Sequence, residues 1–296
     1  MNTLFRVDSS SAIGLGHLMR CLVLAKQYKK DHIVFASQDL DGNANIKILN
    51  ENYKLIILSG NSSVELCKNI ELMNIDNVIF DHYEIDNKFE KKIKEETGVQ
   101  ILSFDDTYKK HYCDILLNHN ICADTNKYKE LVPKFCEIRC GGKYTLIRDE
   151  FYKIKIRKRP INKDKSVIFL CLGGTDIDNI SLKVLKILVK LDKIMVNLAT
   201  TSANRNICKL QSYAKLHQSI NICIDCNIAE LMNDSDFAII TPSVIAHEAM
   251  FLRLPFIGIK TADNQEIMYQ YLCKKNSPIL KSGELNKLLK MVNGYV

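Results

Sequence analysis

Short, uninterrupted apolar runs alternate with amphipathic segments of helical length along most of the chain. Runs that are apolar throughout, rather than at every second residue, are typical of strands covered on both faces, as in parallel sheets. Repeated strand–helix order with right-handed crossovers builds doubly wound α/β layers. The pattern therefore predicts an α/β protein, with strands at residues 4–7, 33–36, 55–58, 78–80, 101–104, 115–117, 167–172, 195–199, 220–224, 237–240 and 256–259.

The alternation stops near Phe151 and restarts at Val167. The segment between them is polar and contains Pro160, as expected of a linker rather than a helix or strand. At roughly 150 residues per domain, a chain of 296 residues has room for two domains. The sequence therefore predicts a Rossmann-like domain over residues 1–150, a linker over 151–165 and a second Rossmann-like domain over 166–296. Ligands of such sheets bind at the carboxyl ends of the strands, so we expect a site in a cleft that the two domains face.

The positive charge of the chain is concentrated in this linker. The net charge is +7, yet the first 150 residues carry 20 basic and 22 acidic side chains. Seven basic residues and one acidic residue lie between Lys153 and Lys165. A nucleic-acid-binding protein more often spreads its basic side chains over one face of the fold. We therefore expect a solvated linker and no nucleic-acid partner, with a basic module that contacts RNA or another acidic surface as an alternative.

The cysteines and the apolar segments argue against a secreted or a membrane protein. The 11 cysteines are odd in number and have no framework spacing, and no apolar stretch reaches the ~20 residues of a membrane span. The sequence opens on Met-Asn-Thr-Leu, without a signal-peptide pattern. The pairs Cys223–Cys226 and Cys136–Cys140 lack the matching ligands that a structural zinc site needs. We expect a cytoplasmic monomer with no metal, no cofactor and no membrane partner.

A loop with two glycines joins the first predicted strand to the first predicted helix. It runs from Asp8 to His17, and its Gly14 and Gly16 permit positive φ angles and close approach of a ligand. The free N–H groups of the helix start suit a phosphate or sugar phosphate, whereas the missing third glycine argues against a nicotinamide dinucleotide. His17 falls in the first helical turn, where the helix dipole favours a neutral imidazole that can act as a base. A histidine that only caps or packs is the alternative.

The second half of the chain repeats this arrangement at two places. Gly173, Gly174 and Thr175 follow its first predicted strand and offer backbone amides and a hydroxyl to a phosphate. Ser243 precedes a helix in which Glu248 interrupts apolar residues, and a buried carboxylate is costly unless it is paired or used. The two hydroxyls of a ribose would supply that use. A tight structural turn and a solvent-facing glutamate are the alternatives.

Polar residues also follow two buried strands of the first half. Asp81 and Tyr83 emerge at the end of one strand, and Asp105 and Asp106 end the next. Neighbouring residues of a strand point to opposite faces, so the two aspartates need not share a site. We expect turn capping and substrate contact here rather than metal binding.

Taken together, these motifs resemble a known family. The loops around His17, Thr175 and Glu248 are similar to the nucleotide-sugar sites of the GT-B fold, as in the lipid-II-forming N-acetylglucosaminyl transferases. A closer resemblance is to a related hydrolase family, which removes UDP from UDP-2,4-diacetamido-2,4,6-trideoxy-β-L-altropyranose in pseudaminic acid biosynthesis. The resemblance runs from residue 4 to about residue 272 and is carried by residues 4–11, 22–28, 81–83, 97–106, 113–118, 146–152 and 173–177.

The resemblance implies a GT-B-like fold and a reaction that needs no metal. It implies that His17 is the general base that activates water at the anomeric carbon, so that the C–O bond breaks with inversion and UDP leaves. It implies that Glu248 holds the ribose hydroxyls, and that Gly174 and Thr175 hold the pyrophosphate. Tyr83, Arg148, Asn264 and Gln265 are implied on the sugar or diphosphate side, and the implied contacts are completed by Gly14, Leu15, Gly16, Ile224 and Ser243.

A glycosyltransferase that uses a UDP-sugar donor is the alternative function, because the same fold and the same UDP site serve both reactions. A lipid-linked acceptor calls for an exposed apolar and basic patch on the N-terminal domain. The net charge of that half is −2, with 20 basic and 22 acidic side chains, and it shows no apolar surface helix. The sequence therefore favours the hydrolase.

Overall fold

Two parallel sheets account for the alternating pattern, in a computed structural model that describes residues 1–28, 32–158 and 165–295. The chain divides into two units, Met1–Leu146 and Ile147–Val296, each with its own core. The predicted linker overlaps the second unit, where Phe151 is buried and Arg157 donates to the Asp234 carbonyl oxygen at 2.5 Å. The rest of that predicted linker, residues 159–164, lies outside the described residues.

The first unit contains a seven-stranded sheet in the order β3-β2-β1-β4-β5-β6-β7, with every neighbouring pair parallel. Its strands are β1 (Asn2–Val7), β2 (His32–Gln38), β3 (Lys54–Leu58), β4 (Asn77–Asp81), β5 (Gln100–Phe104), β6 (Ile115–Asn118) and β7 (Glu137–Cys140). Its helices in the described residues are α1 (Gly16–Ala25), α2 (Ile46–Asn50), α3 (Ser63–Leu72) and α4 (Asn87–Thr97).

The second unit contains a six-stranded parallel sheet in the order β10-β9-β8-β11-β12-β13. Its strands are β8 (Ser166–Cys171), β9 (Ile194–Thr200), β10 (Ile220–Ile224), β11 (Phe237–Ile240), β12 (Phe256–Lys260) and β13 (Ile279–Lys281). Its helices in the described residues are α5 (Asp149–Tyr152), α6 (Ile180–Leu188), α7 (Ile207–Lys215), α8 (Ile228–Asn233), α9 (Val244–Phe251), α10 (Glu266–Lys274) and α11 (Leu288–Val292).

The first sheet is buried on both faces, which is why most residues of its inner strands are apolar. Along β1, Leu4 packs into one core cluster, whereas Phe5 and Val7 pack into the cluster on the other face. The successive side chains of a strand point to opposite faces, so a strand covered on both sides has no polar face. The predicted doubly wound α/β architecture is confirmed.

Both sheets reverse their winding direction beside their first strand. β1 lies between β2 and β4, and β8 lies between β9 and β11. The loops that leave the two strands at such a reversal run in opposite directions and leave a crevice, which is where open α/β sheets bind ligands. The loops behind β1 and β4 belong to the first unit and those behind β8 and β11 to the second. In the described ranges, no helix is long and apolar enough to cross a membrane.

Candidate functional site

The loop behind β1 exposes its backbone at the start of α1. The Gly14 amide donates to the Ser10 carbonyl oxygen at 2.8 Å, which closes the loop on itself. Gly14 has φ +82°, as predicted, whereas Gly16 is the first residue of α1. Apart from the chain neighbours and the nearby backbone of α1, no described atom lies within 4 Å of the position that a Cβ would take on either glycine. No side chain caps α1 behind Leu15, so open backbone and a free helix start coincide here.

His17, on the first turn of α1, is buried and bonded to Asp81 at the end of β4. The two groups meet through Nδ1 and Oδ1, which are 2.5 Å apart. Burial alone would raise the pKa of Asp81, but Arg20 and His17 hold that pKa well below its usual range. Because an ionised carboxylate only accepts, Nδ1 carries a hydrogen in this pair, which leaves Nε2 as the ring nitrogen that can exchange a proton with a ligand. Within the described residues, Nε2 makes no hydrogen bond.

Arg20, one turn further along α1, donates hydrogen bonds to both oxygens of the same carboxylate. Its Nε and Nη2 donate to the two oxygens of Asp81, each at 2.6 Å, and Nη2 also lies 3.0 Å from Nδ1 of His17. Its remaining nitrogen, Nη1, donates to Asp106 at 3.0 Å. A two-pronged arginine–carboxylate pair fixes geometry as well as charge. Asp81 is therefore held in the orientation that faces His17.

Tyr83 lies against the imidazole from the loop behind β4. Its ring stands edge-on to the ring of His17, with 4.6 Å between the centroids, and its hydroxyl donates to Asp106 at 3.1 Å. The neighbouring Asp105 points elsewhere and accepts from the Tyr128 hydroxyl at 2.9 Å, so the two aspartates do not share a site. We call the assembled group the His17 cluster, which comprises His17, Arg20, Asp81, Tyr83 and Asp106.

A second histidine beside this cluster has partners on both ring nitrogens. Nε2 of His82 lies 3.0 Å from Asp8, and Nδ1 accepts from the Glu84 amide at 3.2 Å. Arg6 donates to both oxygens of Asp8, at 2.6 and 2.8 Å. We call Arg6, Asp8 and His82 the His82 cluster. Because Asp8 is committed to this cluster, it is Asp81 that orients His17.

In the second unit, the loop behind β8 differs from the predicted turn in one respect. Gly173 has φ +101°, but α6 begins only at Ile180, several residues after Thr175. The carboxylate of Asp176 accepts from the first amides of that helix, the nearest at 2.9 Å. A phosphate at this loop can therefore use the amides near Gly174 and the Thr175 hydroxyl, but not the α6 start.

The loop behind β11 leads into a helix start that no side chain caps. Ser243 precedes α9, and its hydroxyl lies 2.9 Å from that of Thr241 rather than on a helix amide. The first amides of α9 are therefore open, and the positive end of the helix dipole favours an anion there. Ile224 ends β10, two strands away from β8 in the same sheet, and is half-buried.

Glu248 is buried on α9 and is paired with Arg148. Nε and Nη2 of Arg148 donate to its two oxygens at 2.6 and 2.7 Å. The carboxylate is 1 % exposed and the arginine 19 %. Burial raises the pKa of Glu248, and the guanidinium opposes that rise. The carboxylate predicted to be paired or used is therefore paired, with a residue predicted on the sugar or diphosphate side.

Asn264 and Gln265 lie in a short 3-10 turn behind β12. The Gln265 side-chain oxygen accepts from the Thr261 amide at 2.8 Å, so it holds its own loop together. Asn264 is exposed. Throughout the described part of the chain, no group of three or more His, Cys, Asp or Glu side chains is placed to hold a metal ion.

Sequence reasoning missed Arg20, and it named Arg148 without identifying Glu248 as its partner. Arg20 is separated from Asp81 by 61 residues and from Asp106 by 86, and Arg148 is separated from Glu248 by 100. The only local signal for Arg20 is its place one helical turn after His17, on the same face of α1. Such a signal cannot identify which carboxylate the arginine meets.

Comparisons with known proteins agree with this picture. No protein-family model matches the sequence. The chain is 46% identical over 276 residues to the UDP-2,4-diacetamido-2,4,6-trideoxy-beta-L-altropyranose hydrolase of Campylobacter jejuni, covering 93% of this chain and 97% of the relative.

Solved structures share the fold at low sequence identity. Acinetobacter baumannii MurG superposes with a TM-score of 0.62 at 11% identity, covering 99% of this chain and 90% of MurG. Arabidopsis thaliana UGT89C1 complexed with UDP superposes with a TM-score of 0.65 at 10% identity, covering 97% of this chain and 89% of UGT89C1. The predicted GT-B-like fold is thereby confirmed, and the identity to the Campylobacter protein places the chain in the family of UDP-2,4-diacetamido-2,4,6-trideoxy-beta-L-altropyranose hydrolases.

Proposed function

We propose that this protein hydrolyses UDP-2,4-diacetamido-2,4,6-trideoxy-β-L-altropyranose to UDP and the free sugar. The relative from Campylobacter jejuni carries the name of that hydrolase. The observation that carries the proposal is the state of His17, whose Nδ1 is held 2.5 Å from Asp81 while Nε2 has no hydrogen-bond partner in the described residues. A base with this geometry can take a proton from water.

The proposed step breaks one bond and forms another at the anomeric carbon. Nε2 of His17 removes a proton from water while the water oxygen attacks C1, on the face opposite to the diphosphate. The C1–O bond breaks, its electron pair leaves with UDP, and the configuration at C1 inverts. The imidazolium formed in this step is stabilised by Asp81, which stays ionised as the carboxylate of such a pair does.

The second unit is proposed to hold the nucleotide. The uncapped start of α9 behind Ser243 and the loop at Gly174 and Thr175 offer donors for the growing charge of the diphosphate. These donors support a reaction that needs no added metal. Ile224, Asn264 and Gln265 are proposed to complete the nucleotide and sugar contacts.

Glu248 is proposed to bind the ribose hydroxyls after Arg148 moves. The carboxylate is 1 % exposed and both of its oxygens accept from that arginine, at 2.6 and 2.7 Å. A ribose diol supplies two donors of similar spacing and can replace the guanidinium. The released arginine, a planar group suited to phosphate oxygens, then keeps its Nη1 contact with Glu150 at 3.1 Å and can turn its other nitrogens to the diphosphate.

The experiment is to measure UDP release from this UDP-sugar with no acceptor and with EDTA present. Wild-type protein should release UDP, and His17→Leu should release it about 10²–10⁴-fold more slowly, the usual contribution of a general base. Binding of UDP to the variant, measured by calorimetry, shows that the variant is folded. The matched control is His217→Leu, a half-buried histidine whose ring stacks on Tyr213 in the second unit.

The outcomes separate the candidate functions. No release until an acceptor alcohol is added would identify a glycosyltransferase. Release that is lost with EDTA and restored by a divalent ion would overturn the metal-independent mechanism. Release that survives His17→Leu would remove His17 from the proton transfer.

A further inference from the structure

Arg20 is more than a support for the carboxylate beside His17, because it also faces the imidazole. Its Nη2 lies 2.6 Å from Asp81 Oδ1 and 3.0 Å from His17 Nδ1, so one nitrogen faces both groups. A base oriented by a buried carboxylate meets a difficulty, since the negative charge that orients the ring also favours its protonated form. A protonated imidazole cannot accept a proton from water.

A third buried histidine of the same unit shows the effect without an arginine. Nδ1 of His111 lies 2.7 Å from Glu90, and its Nε2 lies 4.0 Å from Asp105. Burial lowers the pKa of His111, but the two carboxylates outweigh burial and raise it to about 9. This imidazole is therefore a cation at neutral pH, which suits a structural ion pair and not a base.

The groups that face His17 come from four segments of the chain. Asp81 and Tyr83 face it from the end of β4 and the loop behind that strand, and Arg20 faces it from α1. Asp106, behind β5, reaches it through Tyr83 and Arg20. The side-chain nitrogen of Lys109 lies 5.7 Å from the centre of the Tyr83 ring, and the Cys21 thiol bonds to Asp81 at 3.5 Å.

Building on the proposed function, we propose that Arg20 is a positioning residue that keeps His17 available as a base. Its guanidinium neutralises Asp81 at a distance at which it also repels a proton on the imidazole, so that the carboxylate orients the ring without holding it protonated. Its third nitrogen, Nη1, likewise helps to neutralise Asp106, the other carboxylate of the His17 cluster. The positive charge of Arg20 thus sets the pH above which hydrolysis proceeds.

The test compares Arg20→Gln with wild type across pH 5 to pH 10. Two quantities are measured: kcat/KM for UDP release, and the titration midpoint of His17 from NMR of histidine-labelled protein. The His17 signal is identified by its loss in His17→Leu. In Arg20→Gln, both midpoints should rise by about 1 to 2 pH units, the usual effect of one nearby charge. The deficit in kcat/KM should reach about 10- to 100-fold at pH values below both midpoints and should shrink as pH rises.

Two further variants guard against loss of folding and define the control. Arg20→Gln leaves Asp81 and Asp106 without their arginine. The double variant Arg20→Gln/Asp106→Asn removes one of these two carboxylates, and its His17 titration midpoint should still lie above that of wild type. Arg20→Lys keeps the charge and should restore most of the wild-type midpoint. Arg6→Gln removes the guanidinium of the His82 cluster and should leave the His17 midpoint unchanged.

The two measurements distinguish the inference from the proposed function. A kcat/KM that falls by the same factor at every pH, with an unchanged His17 midpoint, means that Arg20 only maintains structure and overturns the inference. Failure of wild-type protein to release UDP overturns the proposed function. In that case the NMR midpoints still decide whether Arg20 controls the charge of His17.

Discussion

The His82 and His17 clusters both combine an arginine, an aspartate and a histidine. Within the described residues, only the His17 cluster leaves one ring nitrogen of its histidine without a hydrogen bond. Each has a buried aspartate gripped at both oxygens by an arginine and bonded to a histidine. In the His82 cluster, the backbone amide of Glu84 occupies the second ring nitrogen. In the His17 cluster, no described residue does so.

The difference follows from where each histidine lies on the backbone. His82 follows a strand directly, and the chain turns back over it so that an amide two residues later reaches Nδ1. His17 lies on the first turn of a helix behind an open glycine loop, and no backbone amide of the described residues bonds to its ring. A structural Arg–Asp–His triad and a candidate general base therefore differ by one hydrogen bond rather than by composition.

The largest expected effect comes from neutralising the aspartate of each cluster in turn. Asp81→Asn should lower kcat by about 10²–10⁴-fold, because an amide no longer fixes the tautomer of His17 or stabilises its protonated form. Asp8→Asn leaves Arg6 buried without its charge partner, and should lower the free energy of unfolding by about 3–5 kcal/mol. Its kcat per folded molecule should stay within about threefold of wild type.

Both variants are measured by UDP release, normalised to the folded fraction, and by urea unfolding. Asp81→Asn keeps the Asp106 partner of Arg20, so its stability loss should be smaller than that of Asp8→Asn. Equal losses of kcat in the two variants would contradict the division into a structural and a functional cluster.

A smaller effect should appear at high pH, where His111, which lies between Glu90 and Asp105, loses its proton and its charge. The pKa of His111 is raised from 6.5 to about 9 in the folded protein, against the burial that lowers it, by Asp105 and Glu90. Its stabilising contribution is therefore complete below about pH 6.5 and is lost as pH rises through 9. In urea unfolding, the free energy of unfolding should fall by up to about 3 kcal/mol between pH 6.5 and pH 9, the amount that corresponds to a pKa shift of this size.

The control for this pH dependence is His111→Gln, which has no proton to lose in that range. Its unfolding free energy should be lower than that of wild type at pH 6 and nearly the same at pH 9.5. Parallel curves for the two proteins would show that His111 is not the titrating group.

The smallest effect is expected for Tyr83→Phe. The substitution keeps the ring against His17 and removes only the hydroxyl bond to Asp106, at 3.1 Å on a partly exposed side chain. The free energy of unfolding should change by less than about 1 kcal/mol, the net value of one hydrogen bond. A larger change in thermal unfolding would show that Tyr83 anchors the cluster.

The fold was predictable because both faces of the first sheet are covered, so its inner strands are mostly apolar on both faces. The two strands that sequence analysis missed lie at sheet edges: β7 reads Glu-Ile-Arg-Cys, and β13 has three residues. An edge strand needs fewer apolar residues, and its pattern is too short to stand out.

The site was predictable where backbone requirements leave a local pattern. The glycines before His17 indicate a loop and a helix start, and the structure has both. The pairing of that histidine with Asp81 does not follow from the local pattern, because a pairing over 64 residues depends on how β4 is placed beside β1. Likewise, a polar residue inside an apolar helix indicated Glu248, but that pattern does not identify Arg148 as its partner.

The separation of the chain into Met1–Leu146 and Ile147–Val296 has an evolutionary consequence. Every member of the His17 cluster lies in the first unit, and the Arg148–Glu248 pair lies in the second. Mutations in one half can therefore accumulate without rebuilding the ion pairs of the other. Under the proposed function, the proton chemistry lies in the first unit and the nucleotide contacts in the second, so a lineage could change its nucleotide preference while keeping the His17 cluster intact.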